Sequence, residues 1–456
     1  MEMGSEKMAT LPRTATAPRG AAGERQAGIA GEGVASVLQD AFYYAFPLVA
    51  MGRLRLATVG TEQAPGRYAL QQWHHRRELG RHEVRGVTTP NADTLYSGLW
   101  LDLSQGPLRL SVPDTDGRYY SLAFVDMATN NFAMVGRRTT GTRAASFVIV
   151  GPDWQQELPG NVRIIRAPCN DVLVVSRILV NGEEDVPAVT ALQDQYGIEA
   201  LGPGRVPPLW SPAPPHGSGP EDFVNMANLV LARNPQPGYE RRMLERFAEV
   251  GIGGTGSRWE TLSPVVQAQW RQQWSALLAS LESGLSSGDP DSNGWYYNQA
   301  TLGNFGTDYT YRAQIALGAL LALEPVEAIY PSVAADHLGM PLSGGHRYRL
   351  TLRPEDLPVN AFWSLTMYQV EPDRKLYFAA NPIRRYAIGD RTHGLVIGDE
   401  GQVDIWIQHD PPSQPLHRSN WLPAPEGDFR LVLRAYEPSA ALRDGSVRLP
   451  AVRRLE

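Results

Sequence analysis

Residues 94–103 read TLYSGLWLDL. Leu95, Leu99, Leu101 and Leu103 fall on one side of a period-two ribbon, and Thr94, Tyr96, Trp100 and Asp102 on the other. That alternation predicts a β-strand. The turn PDTDG (113–117) leads into a second strand, RYYSLAFVDM (118–127). ASFVIVG (145–151), VRIIRA (162–167) and DVLVVSRILV (171–180) extend the group. Many short strands separated by turns predict an antiparallel sandwich.

On the N-terminal side, Val34 to Leu54 repeats apolar residues at three and four, the pattern of a helix. Pro47 is expected to kink or end it near Phe46. On the C-terminal side, 202–220 is a Pro/Gly-rich break that predicts an extended, stiff connection. Helical patterns follow at 221–234, 238–251, 264–284 and 308–323. From about 345 the period returns to two. HRYRLTLRP (346–354), AFWSLTMYQV (361–370), HGLVIGDEGQVDIWIQHD (393–410) and DFRLVLRAYEP (428–438) read as strands, and 439–456 as coil with a last strand. The fold expected is mainly β with a helical middle segment, an α+β multidomain chain. It divides into a disordered tail (1–33), a helix plus N-terminal β-sandwich (34–201), a Pro-rich linker and helical domain (202–330) and a C-terminal β-sandwich (331–456).

Composition supports this. Apolar residues make 43% and charged residues 20%, enough for a packed core. Gly 44 and Pro 36 make 80 of 456 residues, which favours short strands and turns over long helices. The net charge of −6 leaves no basic stripe for a phosphate backbone, so no nucleic-acid partner is expected. The single cysteine, Cys169, excludes an intramolecular disulfide and a multi-thiolate metal site. Residues 1–33 lack an apolar signal region, and no window reads as a membrane span, so a cytoplasmic location with no membrane partner is expected. Lysine occurs only at Lys7 and Lys375, which makes Lys375 the one Schiff-base candidate outside the tail.

P-loop and HExxH motifs are absent, and no GxGxxG opens a helix after a strand. No cofactor is therefore expected. His74, His75 and His82 are the one histidine group to weigh for a metal. Adjacent histidines diverge on a helix and oppose each other on a strand, so a polar surface cluster is the favoured reading and no metal ligand is assigned.

Three polar stretches carry the chemistry. In TTPNADTLYS (88–97), Asn91 and Asp93 can close Asx turns. Functionally, Asp93 would be a base or orienter and Tyr96 an acid. In VDMATNNFAMVGRRTTGTR (125–143), alternation sends Arg137 and Arg138 to opposite faces. An inward arginine needs a carboxylate, Asp126 or Asp93, or else serves as an anion clamp. In GWYYNQATLGNFGTDYTYRA (294–313), Tyr309 and Arg312 share a helix face and Asp308 and Arg312 form an i,i+4 pair. Trp363 and Tyr368, with Arg385, Tyr386, Asn420 and Trp421, form a similar aromatic–arginine set, for which packing is the default.

The ordered blocks YAFPLV (44–49), TTPNADTLYSGLWLDL (88–103), DTDGRYYSLAFVDM (114–127), GRRTTGT (136–142) and VGPDW (150–154) resemble one bacterial domain of unknown function, the 1254 family. FGTDYTYRAQIALGAL (305–320), EAIYP (327–331), DHLGMPLSGGHRYRL (336–350), AFWSLTMY (361–368), NPIRRYAIGDR (381–391) and NWLPAPEGDFRLVLRAYEP (420–438) resemble its tandem partner, the 1214 family. The resemblance implies an N-terminal β-sandwich, a helical middle and a C-terminal jelly-roll-like sandwich. It also implies a homodimer or homotetramer, and it transfers no catalytic residue. Many relatives look exported, and this chain departs from them at its start.

The function expected is a cofactor-independent enzyme acting on a small organic molecule, of hydrolase, lyase or isomerase/cyclase type, in specialised metabolism. Asp93 is the expected base, Tyr96 or Tyr309 the acid, and Arg137, Arg138 or Arg312 the clamp. Asn91, Asp126, Trp363 and Tyr368 complete the expected substrate-binding set. A non-catalytic small-molecule or carbohydrate-binding protein and a metal-dependent enzyme are the alternatives.

Overall fold

The structure is a computed structural model. It describes residues 33–455 except 62–65, 87, 158–159, 203–209, 211–217, 255 and 286–289. The expected tail up to residue 32 and most of the Pro-rich linker therefore lie outside the described residues.

Helix α1 (Val34–Val59) continues past Pro47 and does not end near Phe46. An interior proline sacrifices one helix hydrogen bond at about 3 kcal/mol. Burial offsets it here: Phe42, Leu48, Met51 and Leu56 all enter the core. A Cβ on Gly52 would lie 2.7 Å from Met226 Sδ, so glycine lets a neighbouring helix approach closely. By length and apolar composition α1 could cross a membrane, contrary to the sequence expectation, yet 61% of its most apolar window is buried inside the protein.

The first strands are β1 (His74–His75), β2 (Thr94–Asp102), β3 (Leu108–Val112), β4 (Tyr120–Val125) and β5 (Asn131–Gly136). After a helical turn, α2 (Arg137–Thr140), come β6 (Ala145–Val150), β7 (Arg163–Arg166) and β8 (Asp171–Leu179), then α3 (Val186–Gln193) and β9 (Gly197–Ala200). They form a five-stranded sheet, β1-β2-β8-β4-β5, and a four-stranded sheet, β7-β6-β3-β9. β8 lies between β2 and β4 and is buried at every position, its polar Asp171, Ser176 and Arg177 included.

Four helices follow: α4 (Pro220–Arg233), α5 (Arg241–Phe247), α6 (Pro264–Gly284) and α7 (Tyr309–Gly318). α7 ends five residues before the sequence pattern does, and Leu321 takes a left-handed φ of 68°.

The remaining strands are β10 (Trp295–Tyr296), β11 (Ala328–Ile329), β12 (Ser332–Val333), β13 (Arg347–Leu352), β14 (Val359–Val370), β15 (Leu376–Tyr377), β16 (Ala387–Gly389), β17 (Val403–Gln408), β18 (Trp421–Pro423), β19 (Phe429–Pro438) and β20 (Arg453–Leu455). Seven join in a sheet of order β10-β12-β19-β14-β15, with β11 on β19 and β16 on β14. The other four order β18-β17-β13-β20. The expected strand over 393–410 is thus only β17. Its first half, rich in Gly and Asp, forms turns and coil.

The chain is mixed α and β, with four sheets among the described residues. Phe362 of β14, Ala328 of β11 and Tyr436 of β19 belong to the same apolar cluster as β2, β4, β8 and α1. The two strand-rich halves therefore share a core across their boundary.

Candidate functional site

Antiparallel register sets Tyr96 of β2 directly opposite Arg177 of β8. The Arg177 guanidinium carbon lies 5.1 Å from the Tyr96 ring centroid. Asn91, in the turn before β2, does two things. Its Oδ1 accepts the Asp93 backbone N–H at 2.6 Å, the expected Asx turn. Its Nδ2 donates to Tyr96 Oη at 3.3 Å and to Tyr436 Oη at 3.0 Å.

The other half supplies Arg434 from β19. Its Nη1 donates to Thr366 Oγ1 at 2.6 Å, and its Nη2 to Tyr368 Oη at 2.6 Å. Nη2 also reaches the carbonyl oxygens of Thr89 at 3.1 Å and Pro90 at 3.3 Å. Tyr368 Oη donates to the Pro90 carbonyl at 2.6 Å. Two backbone residues that hold these guanidiniums are in the left-handed region: Thr89, φ 49°, accepts from Arg434, and Leu321 accepts from Arg177. A β-branched or bulky residue there is strained, and such strain gathers at functional sites.

Burial by itself would raise the Tyr96 phenol. The Arg177 and Arg434 charges, with hydrogen bonds from Arg177 and Asn91, overcome it and hold the phenol below the ordinary tyrosine range. Burial pushes the neighbouring Tyr330 up to about 12 and Tyr436 well above its usual value. Tyr96 and Tyr330 are half-buried.

Asp93 is 5% exposed. Ser364 Oγ of β14 donates to its Oδ2 at 2.5 Å, and Arg391 Nη2 to its Oδ1 at 2.9 Å. The carboxylate lies on a cleft of about 320 Å³ between the halves, lined also by Gly80, Val180, Tyr386, Arg391 and His393. Tyr386 Oη lies 2.8 Å from His82 Nδ1.

Arg137 and Arg138 stand on the helical turn α2, not on a strand, so alternation does not govern them. Their carboxylate partners are neither Asp126 nor Asp93. Arg137 pairs with Glu437 at 2.5 Å and Arg138 with Glu327 at 2.7 Å, both acids of the C-terminal half. Tyr119 Oη also donates to Glu327 at 2.7 Å, and the Tyr119 ring lies 5.2 Å from that of Tyr436. Arg138 thus connects to the Tyr96 cluster through Glu327 and two tyrosines.

Tyr309, Arg312 and Asp126 belong to a different centre. Tyr309 and Tyr44 donate to the two oxygens of buried Glu240, at 3.1 and 2.9 Å. Arg312 donates to the Gly306 carbonyl at 2.6 Å and lies 5.2 Å from the Tyr309 ring centroid. Asp308 caps α7, accepting the Tyr311 N–H, and does not pair with Arg312. Asp126 accepts from the backbone and side chain of Asn130, and burial raises its carboxyl. Trp363, on the opposite face of β14 from Ser364, joins the C-terminal apolar core. The structure brings Asn91, Asp93, Tyr96 and Tyr368 together, connects Arg138, and leaves Tyr309, Arg312, Asp126 and Trp363 elsewhere.

Arg177, Ser364, Arg391 and Arg434 escaped the sequence reading. The available signal was an arginine inside an apolar strand, in DVLVVSRIL and FRLVLRAYEP. His75 lies 2.7 Å from Ser97 Oγ through its Nδ1, and burial holds it at about 4. No group of three or more potential ligand side chains is placed for a metal among the described residues.

Residues 70–200 match the family described as a protein of unknown function, DUF1254, and residues 327–440 the one described as DUF1214. The chain is similar in structure to the VPA0106 protein from Vibrio parahaemolyticus, with a TM-score of 0.72 and 24% identity over 92% of this chain and 100% of that one. That likeness shows a shared fold. An uncharacterised protein from Burkholderia cenocepacia gives a TM-score of 0.42 at 11% identity, over 91% of this chain and 88% of that one. No curated protein matches the chain.

Proposed function

We propose that this chain, a DUF1254 domain followed in tandem by a DUF1214 domain, is an enzyme that moves a proton on a small anionic organic molecule with its own side chains. Lyase or isomerase chemistry suits such a site. One observation carries the reading: Tyr96 Oη receives an N–H from Asn91, its ring lies 5.1 Å from the Arg177 guanidinium carbon, and the charges of Arg177 and Arg434 hold its phenol below the ordinary range. A phenol so placed exchanges its proton more readily than a free one. The two guanidiniums also balance charge developing on a substrate oxygen. Asp93, held by Arg391 and Ser364, then serves as an orienter of the cleft wall rather than the base.

The test is to incubate the full chain with mixed small carboxylic acids in deuterated water and read masses. Deuterium uptake or a changed mass that Tyr96→Phe abolishes supports the reading. Turnover that survives Tyr96→Phe overturns it.

A binding role without turnover is the second reading. It is favoured by both Asp93 oxygens being already engaged. Recovery of a bound compound with unchanged mass would support it. We further read the paired sheets of each half as sandwiches, the C-terminal one jelly-roll-like. Shared apolar clusters between β2 and β3, and between β14 and β17, favour this. A homo-oligomer and a cytoplasmic location belong to the same proposal, and light scattering of the full chain tests the first.

A further inference from the structure

A second cleft, of about 800 Å³, lies apart from the one that Asp93 lines. Residues 297–304, the segment 324–331 running into β11, and residues 440–448 form its walls. Tyr297 and Tyr330 offer aromatic surface, and Asn298, Thr301, Asn304 and Glu324 offer polar groups. Asn298 and Thr301 are exposed, and their side chains make no hydrogen bond among the described residues. Their donors and acceptors are available.

Charge narrows the choice of ligand. The lining carries Glu324 and Asp444 together with Arg443 and Arg448, two acids and two bases. Arg448 is already within 3.5 Å of Asp291. A phosphate or dicarboxylate would find no excess of positive charge. Aromatic faces paired with groups that both donate and accept suit a molecule with apolar C–H faces and a rim of hydroxyls.

We propose that this cleft binds a neutral polyhydroxylated molecule, a sugar or short oligosaccharide, stacked on Tyr297 and hydrogen-bonded by Asn298, Thr301, Asn304 and Glu324. Glu324 fits the role for a further reason. Burial raises its carboxyl, opposed by Arg138 and Asn304, so its proton is held to higher pH than on an exposed glutamate.

Calorimetric titration of the full chain with glucose, galactose, xylose, maltotriose and cellotriose tests this. At least one is expected to bind, with affinity little changed between low and high salt. Tyr297→Ala is expected to weaken binding about tenfold, Asn298→Ala severalfold, and Tyr297→Phe little. Tyr96→Phe is expected to leave binding intact, so failure here and failure of the proton-transfer reading are separate results. Absence of heat with every sugar overturns the proposal. So does binding that is indifferent to Tyr297→Ala in a variant with the parent's circular dichroism, and so does affinity that falls steeply with salt.

Discussion

Arg391 donates to Asp93 at 2.9 Å although the two lie 298 positions apart in the chain. Its other terminal nitrogen reaches the Val180 carbonyl at 3.0 Å, so one guanidinium ties the end of β8, the turn before β2 and the C-terminal half together. Arg391→Ala leaves a carboxylate of 6% side-chain exposure with Ser364 alone. The expected loss is about 2–3 kcal/mol, moderated because Arg391 itself is partly solvated. Urea denaturation measures it, and an unchanged midpoint would show that the pair holds nothing.

Tyr96 should ionise before the bulk of the 18 tyrosines. Its folded value lies below its unfolded one. Stability therefore rises as pH climbs from the folded value toward about 10, where the unfolded phenol ionises too. Ultraviolet titration should show an early fraction that Tyr96→Phe removes. An unaltered first step in that variant would assign the early ionisation elsewhere.

His75 gives a slope at acid pH. Burial holds it at about 4, whereas the unfolded imidazole titrates near 6.5. The unfolded state binds the extra proton between those values, so stability falls as pH drops from about 6.5 to 4, by on the order of 1–2 kcal/mol after allowing for partial exposure. His75→Gln should flatten that part of the stability profile. A profile with the same slope in the variant would rule His75 out as its source.

Arg55 is fully buried, and its nitrogens make no hydrogen bond among the described residues. It lies 3.4 Å from Asp171, which Arg233 already engages at 2.9 Å, and 4.3 Å from the Trp210 ring centroid. Burial lowers its affinity for the proton. Replacing a whole buried ion pair by apolar side chains is often neutral or stabilising, and here Arg233 still engages Asp171 once Arg55 is gone. Arg55→Met should leave the thermal midpoint unchanged or raised, whereas Asp171→Leu should lower it sharply. A large loss in Arg55→Met would mean that Arg233 alone does not balance Asp171.

Periodicity made most strands and helices legible, because burial of one face writes itself into the order of residues. It missed β5 and α2, where Asn131 and Arg137 are fixed by partners far away: the Gly303 and Ala322 carbonyls for the first, Glu437 for the second. The helix does not end at Pro47, since burial of its flanking side chains outweighs a local penalty. Asn91, Asp93 and Tyr96 were visible because one short turn carries all three. Arg177, Arg391 and Arg434 were not, because pairing between strands and halves, rather than sequence spacing, brings them to that turn. Tyr309 and Arg312 were drawn in by helix spacing; Tyr309 meets Glu240 and Arg312 the Gly306 carbonyl instead.

Thr89 gives its N–H to the Leu376 carbonyl and takes an N–H from Arg434 on its own carbonyl. The short run 89–96 is thereby stitched on both edges to chain that is synthesised long after it. A ribosome that has released only the first half presents Asn91, Asp93 and Tyr96 with Arg177 in place but with Arg391 and Arg434 still unmade. The proposed site is completed late in translation, and separating the two coding segments would leave each with only part of it.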